Sequence, residues 1–344
     1  MAGRKFSNMD YFNAHCAEMQ PLYAFDAANE AQAKLWRIKA LAKLRDLLGE
    51  VPDPVPLEAE IVESVDMGGY VREKVVFDAD AHSSVPGYIQ IPKELTGPTR
   101  ALLCLHGHGP GKDPVVGITT PRGNLSQEDM ERIIAQNNYD YARQFVERGY
   151  ITFTFDFRCF GERGDTLHGA DPCNIHFIRG ALLGINLLTL DIADTHRAVD
   201  YLLTRPEVDP TRIGSVGLSF GGTMTLWAAA LDKRIHAACI SCYLNEYESY
   251  AVRTGNFCGS QFVPALRRYF DVSDIACLIA PRPLLIESGV LDEGFPIEAS
   301  KRAYEQVKQA YEVRGKPECL AQDVFEGGHQ FSGRMAFDWF DRWL

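Results

Sequence analysis

The 344-residue chain lacks a long apolar run. Its most continuous one, Ala181–Leu190, stops at Asp191, far short of the roughly 18–20 residues that span a bilayer. The opening MAGRKFSNMDYFNAHC holds no uninterrupted apolar core of the roughly 7–15 residues a secretory signal requires. The expectation is a cytoplasmic protein with no membrane partner. Positive charge is in deficit: 35 Lys and Arg stand against 46 Asp and Glu, for a net charge of −11. A nucleic-acid surface needs clustered Lys and Arg, so no nucleic-acid partner is expected. The nine cysteines are scattered, odd in number and mostly set in apolar runs. Cys239 and Cys242 have two residues between them, but no second pair completes a zinc site. They read as reduced core thiols, with no metal and no cofactor expected. Repeats and low-complexity tracts are absent as well. With 46% hydrophobic and 24% charged residues, disorder is excluded and a sizeable core is implied.

What is present is an alternation. Residues 1–57 read as an N-terminal helical extension and a Pro-rich linker. Asn29–Leu48 carries Ala31, Leu35, Ile38, Leu41, Leu44 and Leu48 at three-to-four spacing, a stripe that must pack on something. Gly49 stops it, and the prolines of Val51–Pro56 bias the chain toward an extended path. From residue 58 to 344, short β runs (Glu60–Val65, Tyr70–Phe77, Val85–Ile91) lead into apolar strands. These are Ala101–Leu105, Ile151–Phe155, Ile213–Gly217, Ala237–Ser241, Leu284–Glu287 and Leu320–Phe325. Helical periods fall near Glu128–Arg148, Phe177–Thr204, Gly222–Leu231, Ile297–Arg314 and Gly333–Leu344. Almost continuously apolar strands alternating with helices predict an α/β fold with a mostly parallel central sheet covered on both faces. A segment at about 245–275 fits the alternation poorly and reads as an insertion, a lid or wall, before the strand at 284.

The strongest chemical signal is Gly217-Leu-Ser-Phe-Gly221, followed by Gly222, between an apolar strand and a helix. A serine in so sharp a turn needs small residues two before and two after it. The turn lifts its hydroxyl above the sheet, next to a helix N-terminus that favours negative charge. Ser219 is then a candidate nucleophile, and it needs a base and an orienting carboxylate. In chain order the acid follows the serine and the histidine comes last. His329, between two predicted elements near the C-terminus, is the candidate base; His236 opens an apolar strand and reads as structural. Glu287, Asp292 and Glu293 are the candidate acids, and Asp292 is favoured by its place in a turn past a strand end. For an oxyanion hole the first N–H is that of Phe220. The second comes from the loop Leu105-His-Gly-His-Gly109, with His108 as candidate and Gly109 as alternative. A zinc reading of His106 and His108 fails, because neither has a partner pair in sequence. Arg158 lies in a rim loop and is a candidate substrate contact, with an internal ion pair equally open. Phe257 and Phe262 of the insertion are candidates for a pocket wall.

These motifs together resemble the α/β-hydrolase superfamily. His106-Gly-His-Gly109, Gly217–Gly222, Gly289-x-x-Asp292 and Gly328-His329 are similar to its dienelactone hydrolase and acetyl xylan esterase-like branch. The run Tyr269-Phe-Asp-x-Ser-Asp-Ile-Ala-x-Leu-Ile-Ala-Pro-Arg-Pro-Leu-Leu285 resembles bacterial acetyl xylan esterase-related proteins and glucuronoyl esterase relatives. Asp191–Leu202 resembles the prolyl-oligopeptidase-like catalytic domain. The resemblance covers roughly residues 58–344. It implies a catalytic triad of Ser219, Asp292 and His329, with Phe220 and His108 as oxyanion donors. It also implies a serine esterase acting without a cofactor on a small-molecule or carbohydrate ester, with a small acyl group. A homo-oligomer is compatible with all of this. The alternatives are a prolyl-oligopeptidase-like peptidase or amidase, and a non-catalytic binding protein on the same fold. Some 57 residues ahead of the catalytic region are too few for a propeller of about 40 residues per blade.

Overall fold

Short β-rich segments and amphipathic helices assemble here around one sheet. The structure is a computed structural model that describes residues 5–165 and 171–344. Its strands are β1 (Glu60–Asp66), β2 (Tyr70–Asp80), β3 (Ser83–Pro92), β4 (Thr99–Leu105), β5 (Ile151–Phe155), β6 (Val208–Leu218), β7 (Ala237–Ser241), β8 (Leu284–Gly289) and β9 (Leu320–Phe325). They pair in the order β1-β2-β3-β5-β4-β6-β7-β8-β9. β1 to β3 form an antiparallel meander, β3 meets β5 antiparallel, and every later pairing is parallel. The sheet is mostly parallel, as the alternation predicts, and its fold is that of an α/β-hydrolase, as the motif resemblance implies.

The helices are α1 (Asn8–Ala17), α2 (Glu30–Leu48), α3 (Gln127–Asn137), α4 (Tyr141–Val146), α5 (Pro172–Leu183), α6 (Leu187–Thr204), α7 (Phe220–Leu231), α8 (Leu266–Tyr269), α9 (Val272–Cys277), α10 (Ile297–Val313) and α11 (Ala336–Trp343). Because strand side chains alternate, β4 serves two cores. Ala101, Leu103 and Leu105 pack with α2, α6, α7 and α10, whereas Leu102 and Cys104 pack with α4 and α11. Among the described residues no single helix is long and apolar enough to cross a membrane.

Three local expectations are corrected. The segment read as one helix over Glu128–Arg148 is two, because Asn138 turns left-handed (φ 49°) and ends α3. The segment over Phe177–Thr204 breaks likewise at Gly184 (φ 73°), and α5 and α6 meet at 101°. Left-handed Asn and Gly are common helix stops that apolar periodicity does not register. The stripe of α2 is also displaced. Leu35 is 53% and Ile38 67% exposed, while Ala33, Ala40, Leu44 and Leu48 are buried. Ala33 and Ala40 let the helix sit close to the body, and the larger apolar residues on its far side are left out. Truncating Leu44 there would cost about 2–5 kcal/mol.

Candidate active site

Parallel pairing brings several strand ends to one rim. Leu105 of β4 is level with Gly217, Leu218 with Ser241, Ser241 with Glu287, and Gly289 with Phe325. The loops that leave this rim carry His106–Gly109, Ser219, Cys242, Asp292 and His329, where open parallel sheets hold their ligands.

Ser219 adopts φ 62°, ψ −120°, a conformation that costs a non-glycine residue on the order of 1–3 kcal/mol. The turn survives because its neighbours have no side chain. A Cβ on Gly217 would lie 2.3 Å from the Gly221 backbone, and one on Gly221 would lie 1.8 Å from the Leu105 carbonyl oxygen. The Ser219 N–H donates to Ser241 O (3.0 Å), and its own carbonyl accepts from Thr223 N (3.0 Å), starting α7. Phe220 is the first residue of α7, so its N–H has no partner within the helix.

His329 Nδ1 lies 2.7 Å from Asp292 Oδ2. Asp292 is buried, and its other oxygen accepts from Gly294 N (3.0 Å) and Phe295 N (3.2 Å). An ionised carboxylate only accepts, so Nδ1 carries the proton and Nε2 is left as the basic nitrogen. The Phe295 ring stacks on the imidazole, 5.6 Å between centroids and 11° from parallel. Tyr243 and Tyr250 hold Phe295 in turn. The other two candidate acids do not meet His329. Glu293 is exposed. Glu287 is fully buried and accepts from Ser332 N (3.2 Å) and Gly333 N (3.1 Å), anchoring the loop that follows His329. Burial pushes its carboxyl up to about 7.

No hydrogen bond joins Ser219 to His329 among the described residues. Cys242 links their supporting backbones: it follows Ser241, and its thiol donates to Gln330 O at 3.4 Å. Such contacts commonly close only when substrate is bound.

The loop after β4 is clamped from three sides. Tyr141 Oη donates to Leu105 O. His106 Nε2 accepts from Phe157 N (3.0 Å) while Nδ1 donates to Gly107 O (2.7 Å). Burial keeps that ring neutral, lowering its pKa to about 4. The Gly107 N–H donates to Tyr139 Oη at 2.6 Å. A Cβ on Gly107 would sit 3.2 Å from Ser219 Cβ, so this loop abuts the serine. The N–H groups of His108 and Gly109 make no hydrogen bond among the described residues and are free for a ligand.

Arg158 is committed elsewhere. Its guanidinium grips Asp194 through Nε and Nη2 (both 3.0 Å) and Asp80 through Nη2 (3.0 Å). This is the internal ion pair that the sequence left open. Phe257 and Phe262 touch (centroids 5.1 Å apart) and line an apolar cavity of about 340 Å³ shared with Met19 and Leu266. None of Ser219, Asp292 and His329 lines it. Sequence reasoning missed Tyr139 and Phe295. The only signal for the latter was its position three residues past Asp292.

Comparison with known proteins is consistent with this geometry. Residues 2–331 match the model of the family described as "Abhydrolase family". A Bacillus subtilis (strain 168) protein named "Putative hydrolase YtaP" is 30% identical over 296 residues, 85% of this chain and 94% of its own. Among solved structures, a "putative acetyl xylan esterase" from Bacteroides fragilis NCTC 9343 superposes with a TM-score of 0.77 at 21% identity, covering 94% of this chain and 83% of its own. A glucuronoyl esterase from Solibacter usitatus gives 0.71 at 17% identity, covering 94% and 98%.

Proposed function

The chain belongs to the Abhydrolase family, and from that premise we propose that it is a serine hydrolase cleaving carboxylic esters through an acyl-enzyme. The observation that carries the reading is the pair of buried Asp292 and half-buried His329 at 2.7 Å, on the same rim as a serine held at positive φ. Ser219 Oγ attacks the ester carbonyl as His329 Nε2 takes its proton. Asp292 holds the imidazole with Nδ1 protonated and stabilises the cation that forms. The N–H groups of Phe220 and of His108, or Gly109, receive the oxyanion; one such donor is worth about 10²–10³ in turnover. The tetrahedral species collapses with loss of the alcohol, which takes the proton from His329. Water, deprotonated by His329, then attacks the acyl carbon and releases the acid. None of these steps requires a cofactor. The names printed for the solved neighbours, acetyl xylan and glucuronoyl esterases, support a small-acyl or carbohydrate ester as substrate.

A fluorophosphonate probe and a p-nitrophenyl ester series from acetate to octanoate test this. Labelling and hydrolysis are expected in the native protein and lost in Ser219→Ala, with acetate turned over fastest. A native chain that neither labels nor hydrolyses, or a variant that does both equally well, would overturn the reading.

A further inference from the structure

Sequence alone left His108 without metal-binding partners, but the fold supplies two. His108 Nε2 lies 3.7 Å from Cys173 Sγ, and the Cys258 sulfur completes a group whose three ligand atoms all fall within 4.8 Å of one another. We propose that His108, Cys173 and Cys258 bind one thiophilic cation of the zinc class at the edge of the rim.

The geometry is close to that of a coordination sphere. With Zn–S about 2.3 Å and Zn–N about 2.0–2.1 Å, tetrahedral angles place sulfur and nitrogen about 3.6 Å apart. The His108–Cys173 separation needs almost no adjustment, and the Cys258 sulfur lies within 4.8 Å of both. Two thiolates and one imidazole are a soft donor set that selects zinc or cuprous ion over calcium or magnesium. Both sulfurs are buried while the imidazole is exposed, so a cation has an approach from one side and a fourth position for water or another ligand.

Three separate stretches of chain are brought together for this. His108 comes from the loop after β4 and Cys173 from the first turn of α5, where its N–H donates to Asp171 Oδ1 (3.2 Å). Cys258 comes from the insertion, held against α5 by Gly259, whose N–H donates to Asn174 Oδ1 (3.3 Å). A Cβ on Gly259 would stand 2.2 Å from Phe177 Cβ, so only glycine allows so close an approach. The wall is also polar: Gln261 Nε2 donates to the Cys258 sulfur at 3.9 Å, while Gln261 Oε1, buried, makes no hydrogen bond among the described residues.

The proposal does not depend on the esterase reading. Only its consequence does: a cation here tethers the loop that offers an N–H to the oxyanion.

The test uses chelator-stripped, fully reduced protein titrated first with Co²⁺ and then with Zn²⁺. One equivalent of cobalt should produce thiolate charge-transfer absorption and intense tetrahedral ligand-field bands, both bleached by one equivalent of zinc. Cys173→Ser and Cys258→Ser should each abolish the bands, while Cys319→Ala keeps them. In case a buried serine disturbs folding, alkylation of the native chain gives a second readout, in which zinc should protect Cys173 and Cys258 alone. Absence of a stoichiometric cobalt spectrum would overturn the proposal. So would identical spectra in the Cys173→Ser/Cys258→Ser double variant, or zinc protection spread over other cysteines.

Discussion

Tyr139 offers the sharpest test of how the rim works, because one oxygen can be removed from it without leaving a cavity. Its hydroxyl accepts the Gly107 N–H at 2.6 Å, and both groups are buried. Tyr139→Phe keeps the ring and strands the amide, which costs about 1–3 kcal/mol when no water can reach it. Gly107 is fixed on the other side by contact with Ser219, and the next residue, His108, carries the proposed oxyanion N–H. A stranded amide pulls the loop toward another acceptor and away from the carbonyl it should polarise. The expected result is a loss of about 1–3 kcal/mol in urea unfolding, with kcat down by as much as about 10² if one oxyanion donor is misplaced. KM should hardly move, since the donor acts on the charge that develops in the transition state. A variant with wild-type kcat and wild-type unfolding energy would refute the reasoning, and a drop confined to KM would show that the loop binds ground-state substrate instead.

Asp292→Asn should lower kcat by about 10⁴, because an amide facing Nδ1 favours the wrong imidazole tautomer; ester turnover against a folded control checks it, and a tenfold loss or less would count against the assignment. Phe295→Leu removes the ring stacked on His329 and should reduce kcat on the order of tenfold while sparing KM, as a loosened catalytic group does; equal kcat in the two proteins would show that the stack is only packing. Glu287 gives a pH signature. Its folded pKa of about 7 lies above the unfolded value near 4.3, so the folded state binds the extra proton. Its stabilising contribution is full below pH 4 and is lost as the pH rises through 7. Glu287→Gln, which stays neutral, should remove about 3 kcal/mol of that decline between pH 5 and 8. Denaturant curves with the same slope against pH in both proteins would contradict it.

Much of the sheet was legible because its strands are buried on both faces and so read as unbroken apolar runs between turns. The sharp turn at Ser219 was legible because Gly217 and Gly221 flank it, and chain order pointed onward to His329. Choosing among Glu287, Asp292 and Glu293 was harder. Spacing along a loop says which residues are near the rim, but not that Glu287 turns inward to the Ser332 and Gly333 amides. The stops at Asn138 and Gly184 went unread because periodicity continues across a single left-handed residue. Arg158 could be placed on the rim but not paired, since Asp80 and Asp194 lie 78 and 36 positions away. His108 and its cysteines were invisible for the same reason.

Gly221 settles more than a tight turn. With bare backbone touching the carbonyl of Leu105, α7 and the loop after β4 are in hard contact, and neither can be displaced without carrying the other along. Their spacing is thus set by backbone against backbone rather than by any side chain. On the proposed reading, the side chains that meet the substrate can differ while the distance from the Ser219 oxygen to the amides of that loop stays constant.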